Sequence, residues 1–240
     1  MDNRYIRSIP IFGEAGQLKL NNSHVAVFGL GGVGSYAVES LVRAGIGTLT
    51  LVDNDRYSES NLNRQLYATE STVGELKTDV AKKRALEINS KIKVYTVNEF
   101  ILDGKESDID YAKFDYIIDA IDTISGKLAI IKNAKAHGVK IISCMGAGNK
   151  LDATQFKIAD ISKTKVCPLC KAMRKVLKEN GIDGLKVVYS EEEPIKITEE
   201  SLLNYTETKG TRIAPFSVSF VPSVMGIIAS GEVIKEIASS

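Results

Sequence analysis

HVAVFGLGGVGSYAVESLVRAGIGTLTLVDNDRYSESNLNR, residues 24 to 64, is the stretch that decides the fold. An apolar strand from Val25 to Phe28 runs into Gly29, Gly31, Gly32 and Gly34, a helix follows from Val33 to Ala44, and a second strand, Thr48 to Val52, ends on Asp53. Glycines in that order turn the chain tightly, let its backbone approach a phosphate and aim the amides of a helix start at it. The stretch predicts a nucleotide site on a Rossmann-like, mostly parallel sheet with helices on both faces. It does not choose the nucleotide: a ribose-binding carboxylate at Asp53 serves NAD as readily as ATP.

The rest of the chain extends that unit. A helix is expected from Leu76 to Ile88, strands at Lys93 to Val97, Phe114 to Ala120 and Val139 to Ser143, and a helix from Lys127 to His137. Strands alternating with helices and poor in polar residues belong to a parallel sheet covered on both faces. Ahead of the unit, Gly13 to Leu20 reads as an amphipathic helix lying over the domain. Beyond Gly146 the rhythm changes: short strands at Gln155 to Ile161 and Val187 to Tyr189, a helix from Cys167 to Glu179, and a charged loop region from Glu191 to Lys209. Residues 1–145 are thus expected to form the nucleotide-binding core, and 146–240 a substrate-facing part of the same domain.

Of the 240 residues, 44% are apolar and 25% charged, as in an ordinary globule with a full core. A net charge of +1 means that nucleic acid could be bound only through a local patch. Three cysteines make no disulfide framework. MDNRYIRSIP has no apolar signal core, and Val221 to Ile237 is broken by Glu232, Lys235 and Glu236, so it reads as a packing helix; a cytoplasmic enzyme with no membrane partner is expected. Gly226, Ala229, Ser230 and Gly231 in that helix allow close packing, inside the domain or across a dimer. His24, taken to precede a strand, and His137, ending a helix, are given no general-base role.

The long polar loop after Asp53 shifts the choice of nucleotide. Arg64 lies in it, Lys77 opens the next helix, and Asp122 follows the fourth strand in DAIDT. Loops at the C-terminal ends of parallel strands share one crevice. Two cations and a carboxylate converging there suit a triphosphate: Arg64 and Lys77 would neutralise the β- and γ-phosphates, and Asp122 would hold Mg²⁺ through one carboxylate plus phosphate oxygens. Each also has a plainer role available: Arg64 as a loop anchor, Lys77 as a solvated helix-start residue, and Asp122 as a helix cap.

As a set, Gly29-x-Gly-Gly-x-Gly34, LVDND (51–55), SNLNRQ (60–65), VGELK (73–77) and DAIDT (119–123) resemble the ThiF/MoeB branch of the ubiquitin-activating superfamily. The resemblance implies ATP-Mg²⁺ adenylation of a carboxylate. Asp53 would lie on the ribose, with Asp55, Asn61, Arg64, Gln65, Lys77 and Asp122 around the nucleotide and metal. Arg7 matches an arginine that reaches into the partner's site in family dimers, which implies a homodimer.

Sulfur-carrier-activating members of that branch hold a structural zinc with two CxxC pairs. Here there is only Cys167-Pro-Leu-Cys170 with a distant Cys144, too few thiolates for a Cys₄ site in one chain, so no structural zinc is expected. CPLC reads first as two ordinary helix-start cysteines; a redox pair and half of an intermolecular site are the other readings. In place of the zinc module, residues 145–169, 187–195 and 220–226 are similar to the tRNA threonylcarbamoyladenosine dehydratases. That group often has Asp-Pro-Leu-Ala where this chain has CPLC. The resemblance implies ATP-driven activation of the threonylcarbamoyl carboxylate on the adenosine beside the anticodon, followed by ring closure.

A tRNA partner should meet basic residues, and Lys163, Lys165, Lys171, Arg174, Lys175 and Lys178 form a run without an acidic residue, the last four at helical spacing. A solvated helix face accounts for that run equally well. Two competing readings remain: an adenylyltransferase acting on the C-terminus of a ubiquitin-like sulfur carrier, and a nucleotide-binding module without turnover. A sulfur-transfer partner is compatible with the resemblance but is carried by no residue.

Overall fold

Strand β1 (His24–Phe28) lies inside one seven-stranded sheet in the computed structural model, which describes residues 2–105, 107–198, 202 and 215–240. It pairs in parallel with β2 (Thr48–Val52) on one side and β4 (Tyr116–Asp119) on the other. With β3 (Lys93–Val97), β5 (Lys140–Cys144), β6 (Phe156–Asp160) and β7 (Lys186–Ser190) the order is β3-β2-β1-β4-β5-β7-β6, and only β6 runs antiparallel to its neighbour. Phe28 is in register with both Val52 and Asp119, so the three central strands end level. This is the Rossmann-like mostly parallel sheet expected from the glycine stretch.

Period-two alternation divides the core between the two faces. Val25 and Val27 join Leu49, Leu51, Ile118 and Val188 beneath α1 (Ile9–Asn22), α2 (Gly34–Ala44), α3 (Lys77–Ile88) and α6 (Phe220–Ser239). Ala26 and Phe28 point the other way, with Ile117, Ile141 and Val187, against α4 (Ile124–Ala136) and α5 (Pro168–Glu179). Each fully buried aliphatic side chain of these layers contributes about 1.5–3 kcal/mol.

Several boundaries differ from expectation for local reasons. α4 begins at Ile124, ahead of Lys127, because extended Thr123 already occupies the cap position. α1 is interrupted at Gly13, whose φ of 76° and ψ of 162° are not helical. His24 is the first residue of β1, not its predecessor; its Nε2 lies 2.8 Å from Thr50 Oγ1, and burial lowers its pKa. The charged Glu191 to Lys209 region lies partly outside the described residues. In its described part, the Glu192 carboxylate accepts from the amides of Leu151 (2.8 Å) and Asp152 (3.0 Å).

Of the small residues of α6, Gly226, Ala229 and Ser230 are buried inside the domain, whereas Gly231 is only partly covered. A Cβ on Gly226 would stand 2.1 Å from the Val33 carbonyl oxygen, so only glycine lets α6 lie on the start of α2, while a Cβ on Gly231 would meet nothing within 4 Å. Gly226→Ala is therefore expected to cost about 1–3 kcal/mol through overpacking, and Gly231→Ala to gain up to about 1 kcal/mol of helix propensity. Thermal denaturation of the two variants checks the contrast; equal melting temperatures would refute the close contact.

Candidate nucleotide site

Because β1, β2 and β4 end level, the chain leaves the sheet at Gly29, Asp53 and Ala120 side by side, where the strand order reverses. Gly29 has φ 86°, and a Cβ there would stand 2.7 Å from the Ala120 carbonyl oxygen, so the turn can pass the end of β4 only as glycine. Gly34 opens α2 against the Gly29 carbonyl, and no side chain caps this helix; the Ser35 amide is bonded to Gly31 O at 3.1 Å, which leaves the amides of Gly34 and Tyr36 for an anion. At Gly31 a Cβ would find only Gln65 Nε2, at 3.7 Å, and at Gly32 it would touch Pro222 and the Arg64 stem. The turn is a cradle open on the Gly31 side.

Asp53 is locked beside it. Its Oδ2 accepts from Leu30 N at 2.6 Å and its Oδ1 from Asp55 N at 2.8 Å, and its side chain is 8% exposed. Burial raises its pKa, opposed by nearby Lys77 and by the two amides. Lys77, 7% exposed, places its ammonium 2.8 Å from Asp55 Oδ2 and 4.0 Å from Asp53 Oδ2. The lysine thus spans two carboxylates, only one of which is exposed.

The polar loop supplies the next wall. Gln65 is buried above Gly31 with its carboxamide oxygen unpartnered; such an atom costs about 1–3 kcal/mol until a ligand or water donates to it. Asn61 shapes the loop through its Oδ1, which accepts from Ser58 N at 3.2 Å. Arg64 lays its stem over Gly32 while its guanidinium donates to Ser60 O (2.7 Å) and Asn63 Oδ1 (2.9 Å), so it anchors its own loop at the edge of the cradle. Asp122 is exposed just past β4. Its single carboxylate fits a cation whose remaining ligands are phosphate oxygens and water; among the described residues no cluster of three or more His, Cys, Asp or Glu could hold a metal alone.

Arg7 does not join this group. Tyr5 packs at Gly45 and Arg4 reaches Asn89, placing the N-terminal segment at the far ends of the strands, where Arg7 is exposed.

Sequence reading missed the group beneath the crevice. Lys127 and Asp119 are both fully buried, with Lys127 Nζ 3.1 Å from Asp119 Oδ2, 3.3 Å from Ser143 Oγ and 2.7 Å from Cys144 O. They tie the ends of β4 and β5 to α4. A signal was available: Lys127 shares helical spacing with buried Ile130, Ile131 and Ala134. Asn149 exchanges hydrogen bonds with Phe216, and Asn63 Nδ2 donates to Ser217 O at 3.0 Å, so residues 216–217 link the Arg64 loop to the loop after β5.

In the second half, Lys163, Lys165, Lys171, Lys175 and Lys178 are exposed, while Cys170, Met173 and Leu177 of α5 face the core. Arg174 differs: its Nη1 donates to the carbonyls of Thr164 (3.2 Å) and Ile161 (3.3 Å) and to Thr164 Oγ1. No described helix is long and apolar enough to cross a membrane.

The model of the ThiF family matches residues 3–240. The chain belongs to the ThiF family. Within it, the chain is 41% identical to a tRNA threonylcarbamoyladenosine dehydratase of Bacillus subtilis, with 99% of this chain and 95% of that protein aligned. It is also similar to the crystal structure of the E. coli tRNA N6-threonylcarbamoyladenosine dehydratase in complex with ATP. There the TM-score is 0.84 at 28% identity, covering 98% of this chain and 94% of that one. The AMP complex of the E. coli enzyme matches with a TM-score of 0.81 at 29% identity, covering 97% and 92%.

The buried pair gives a stability test. Lys127→Met leaves Asp119 uncompensated and is expected to cost about 3–5 kcal/mol, whereas Lys127→Met with Asp119→Leu should recover most of it. Urea unfolding measures both, and a Lys127→Met variant as stable as wild type would mean that the pair is not ionic.

Proposed function

We propose that this ThiF-family chain is an ATP-dependent tRNA threonylcarbamoyladenosine dehydratase. The observation that carries the reading is the match, along nearly the whole chain, to a dehydratase structure holding ATP, combined with a cradle, a buried acid and cations at the rim where three strands end.

In this reading the amides at the start of α2 and the glycine turn hold the phosphates, and Asp53 takes the ribose hydroxyls. A substrate carboxylate oxygen attacks the α-phosphorus; pyrophosphate leaves, its charge met by Arg64 and by Lys77 turned from Asp55 toward the phosphates. The carbamoyl oxygen then attacks the acyl carbon, AMP departs with the former carboxylate oxygen, the carbamoyl nitrogen gives up its proton and the ring closes, a step favoured because the nucleophile is already tethered. The substrate has lost one water. Mg²⁺ bound with ATP at Asp122 would supply further charge neutralisation for the departing pyrophosphate. Residues 1–145 serve the nucleotide and 146–240 the tRNA, whose phosphates meet Lys163, Lys165, Lys171, Lys175 and Lys178 in the cytoplasm. Arg174, committed to carbonyls, contributes there through packing. Arg7, remote from its own crevice, acts in the partner's site of a homodimer. Activation of a sulfur carrier is the weaker reading, since three cysteines cannot close the zinc site that accompanies it.

Incubation with ATP, Mg²⁺ and tRNA carrying the modification, followed by nucleoside mass analysis, should show loss of one water with AMP release. Arg64→Ala and Asp122→Ala should each slow turnover by about 100-fold or more without unfolding the protein. Unchanged tRNA together with adenylation of a carrier peptide would reject the reading, and wild-type rates would remove these residues from the site.

On the tRNA side, Lys171→Glu with Lys175→Glu should weaken binding and flatten its dependence on salt. Filter binding at several salt concentrations reads both effects; an unchanged slope would place tRNA on another surface.

A further inference from the structure

The second half carries a pair of thiols that adenylation leaves unused. Cys167 occupies the cap position of α5, Pro168 follows at its first residue, and Cys170 lies in the first turn, three positions on, so the two side chains share one side of the helix start. The Cys170 thiol donates to Cys167 Sγ, and the amides of Cys170, Gly146 and Leu169 face the same sulfur; together they lower the Cys167 pKa against the effect of burial. The same contact, with burial, raises that of Cys170. The two sulfurs are thus pushed in opposite directions, Cys167 down and Cys170 up. Cys144 has no such environment and is pushed up to about 12 by burial.

Two features of the surroundings point to a small reactant. Both cysteines are buried, but a Cβ on Gly146 would come no closer than 3.8 Å to Cys167 Sγ, so the glycine leaves space beside the sulfur. The residue before the pair, Val166, is exposed and held at φ 62°, with the Cys167 amide bonded to Lys165 O at 2.6 Å. A β-branched residue in that tight turn is strained, and it brings the surface within one residue of the reactive sulfur.

We propose that Cys167 and Cys170 form a redox-active dithiol that hydrogen peroxide oxidises to an intrachain disulfide, with Cys167 attacking and Cys170 resolving. The Cys167 thiolate attacks one peroxide oxygen; the O–O bond breaks, hydroxide leaves, and Cys167 becomes a sulfenic acid. Cys170 then displaces that hydroxyl: the S–S bond forms, the S–O bond breaks, and the Cys170 proton leaves with it as water. The two thiols give up two electrons, peroxide accepts them, and a dithiol reductant restores the reduced pair.

The test uses the full chain, reduced, treated with peroxide, denatured, alkylated and mapped by peptide mass. Cys167 and Cys170 should lose alkylation together, in a peptide lighter by two hydrogens and restored by dithiothreitol, while Cys144 stays alkylatable. Cys170→Ser should trap a sulfenic acid on Cys167 that dimedone captures. Cys167→Ser, which keeps a favourable cap residue, should give no dimedone adduct at Cys170. Full alkylation of both cysteines under peroxide that oxidises a control thiol peptide, overoxidation of Cys167 with Cys170 still free, or an adduct on Cys170 of the Cys167→Ser protein would each overturn the assignment.

Discussion

The level ending of β1, β2 and β4 is the constraint from which the crevice follows. Register places Phe28 against Val52 and Asp119, so three loops of different chemistry leave the sheet at one height. One turns on glycine, one begins with a buried acid, and one leads to an exposed carboxylate. Shifting β4 by one residue would put the Ala120 carbonyl elsewhere and turn every side chain of that strand to the opposite face. A Cβ on Gly29 would stand 2.7 Å from the Ala120 carbonyl oxygen, which shows how little slack the arrangement has.

Charge is arranged in two layers around that rim. Underneath, Lys127 and Asp119 neutralise each other in full burial, where an unpaired ion would be prohibitive, and bond the ends of β4 and β5 together. At the rim, Asp53 is held by two amides, burial raises its pKa, and the Lys77 ammonium lies between it and the exposed Asp55. A triphosphate entering the cradle would compete with Asp55 for Lys77.

The second half is joined to this framework through β7, which pairs with β5, and through α6, which rests on the start of α2 at Gly226. The helix that follows the glycine turn is thus supported by the last helix of the chain. Residues 216–217 add a link from the Arg64 loop to the loop after β5. The two halves of the chain therefore share one sheet and are linked through their loops.

By itself the sequence determined the sheet, its helices, the glycine cradle and the acid at Asp53, because those features depend on local periodicity and on residues close along the chain. It also pointed to Arg64, Lys77 and Asp122, since loops after parallel strands must open on one side. It did not reveal the Asp119–Lys127 pair, the hydrogen bonds that hold Arg174 and Arg64, or the direction in which Gly226 packs. Those depend on which distant atoms meet across the core, and a lysine or glycine in one dimension carries no record of its partner. Only the tertiary structure decided that Lys127 is a buried tie, that Arg174 is an anchor, and that Cys167 and Cys170 face each other at a helix start, because desolvation and contact are properties of the folded interior.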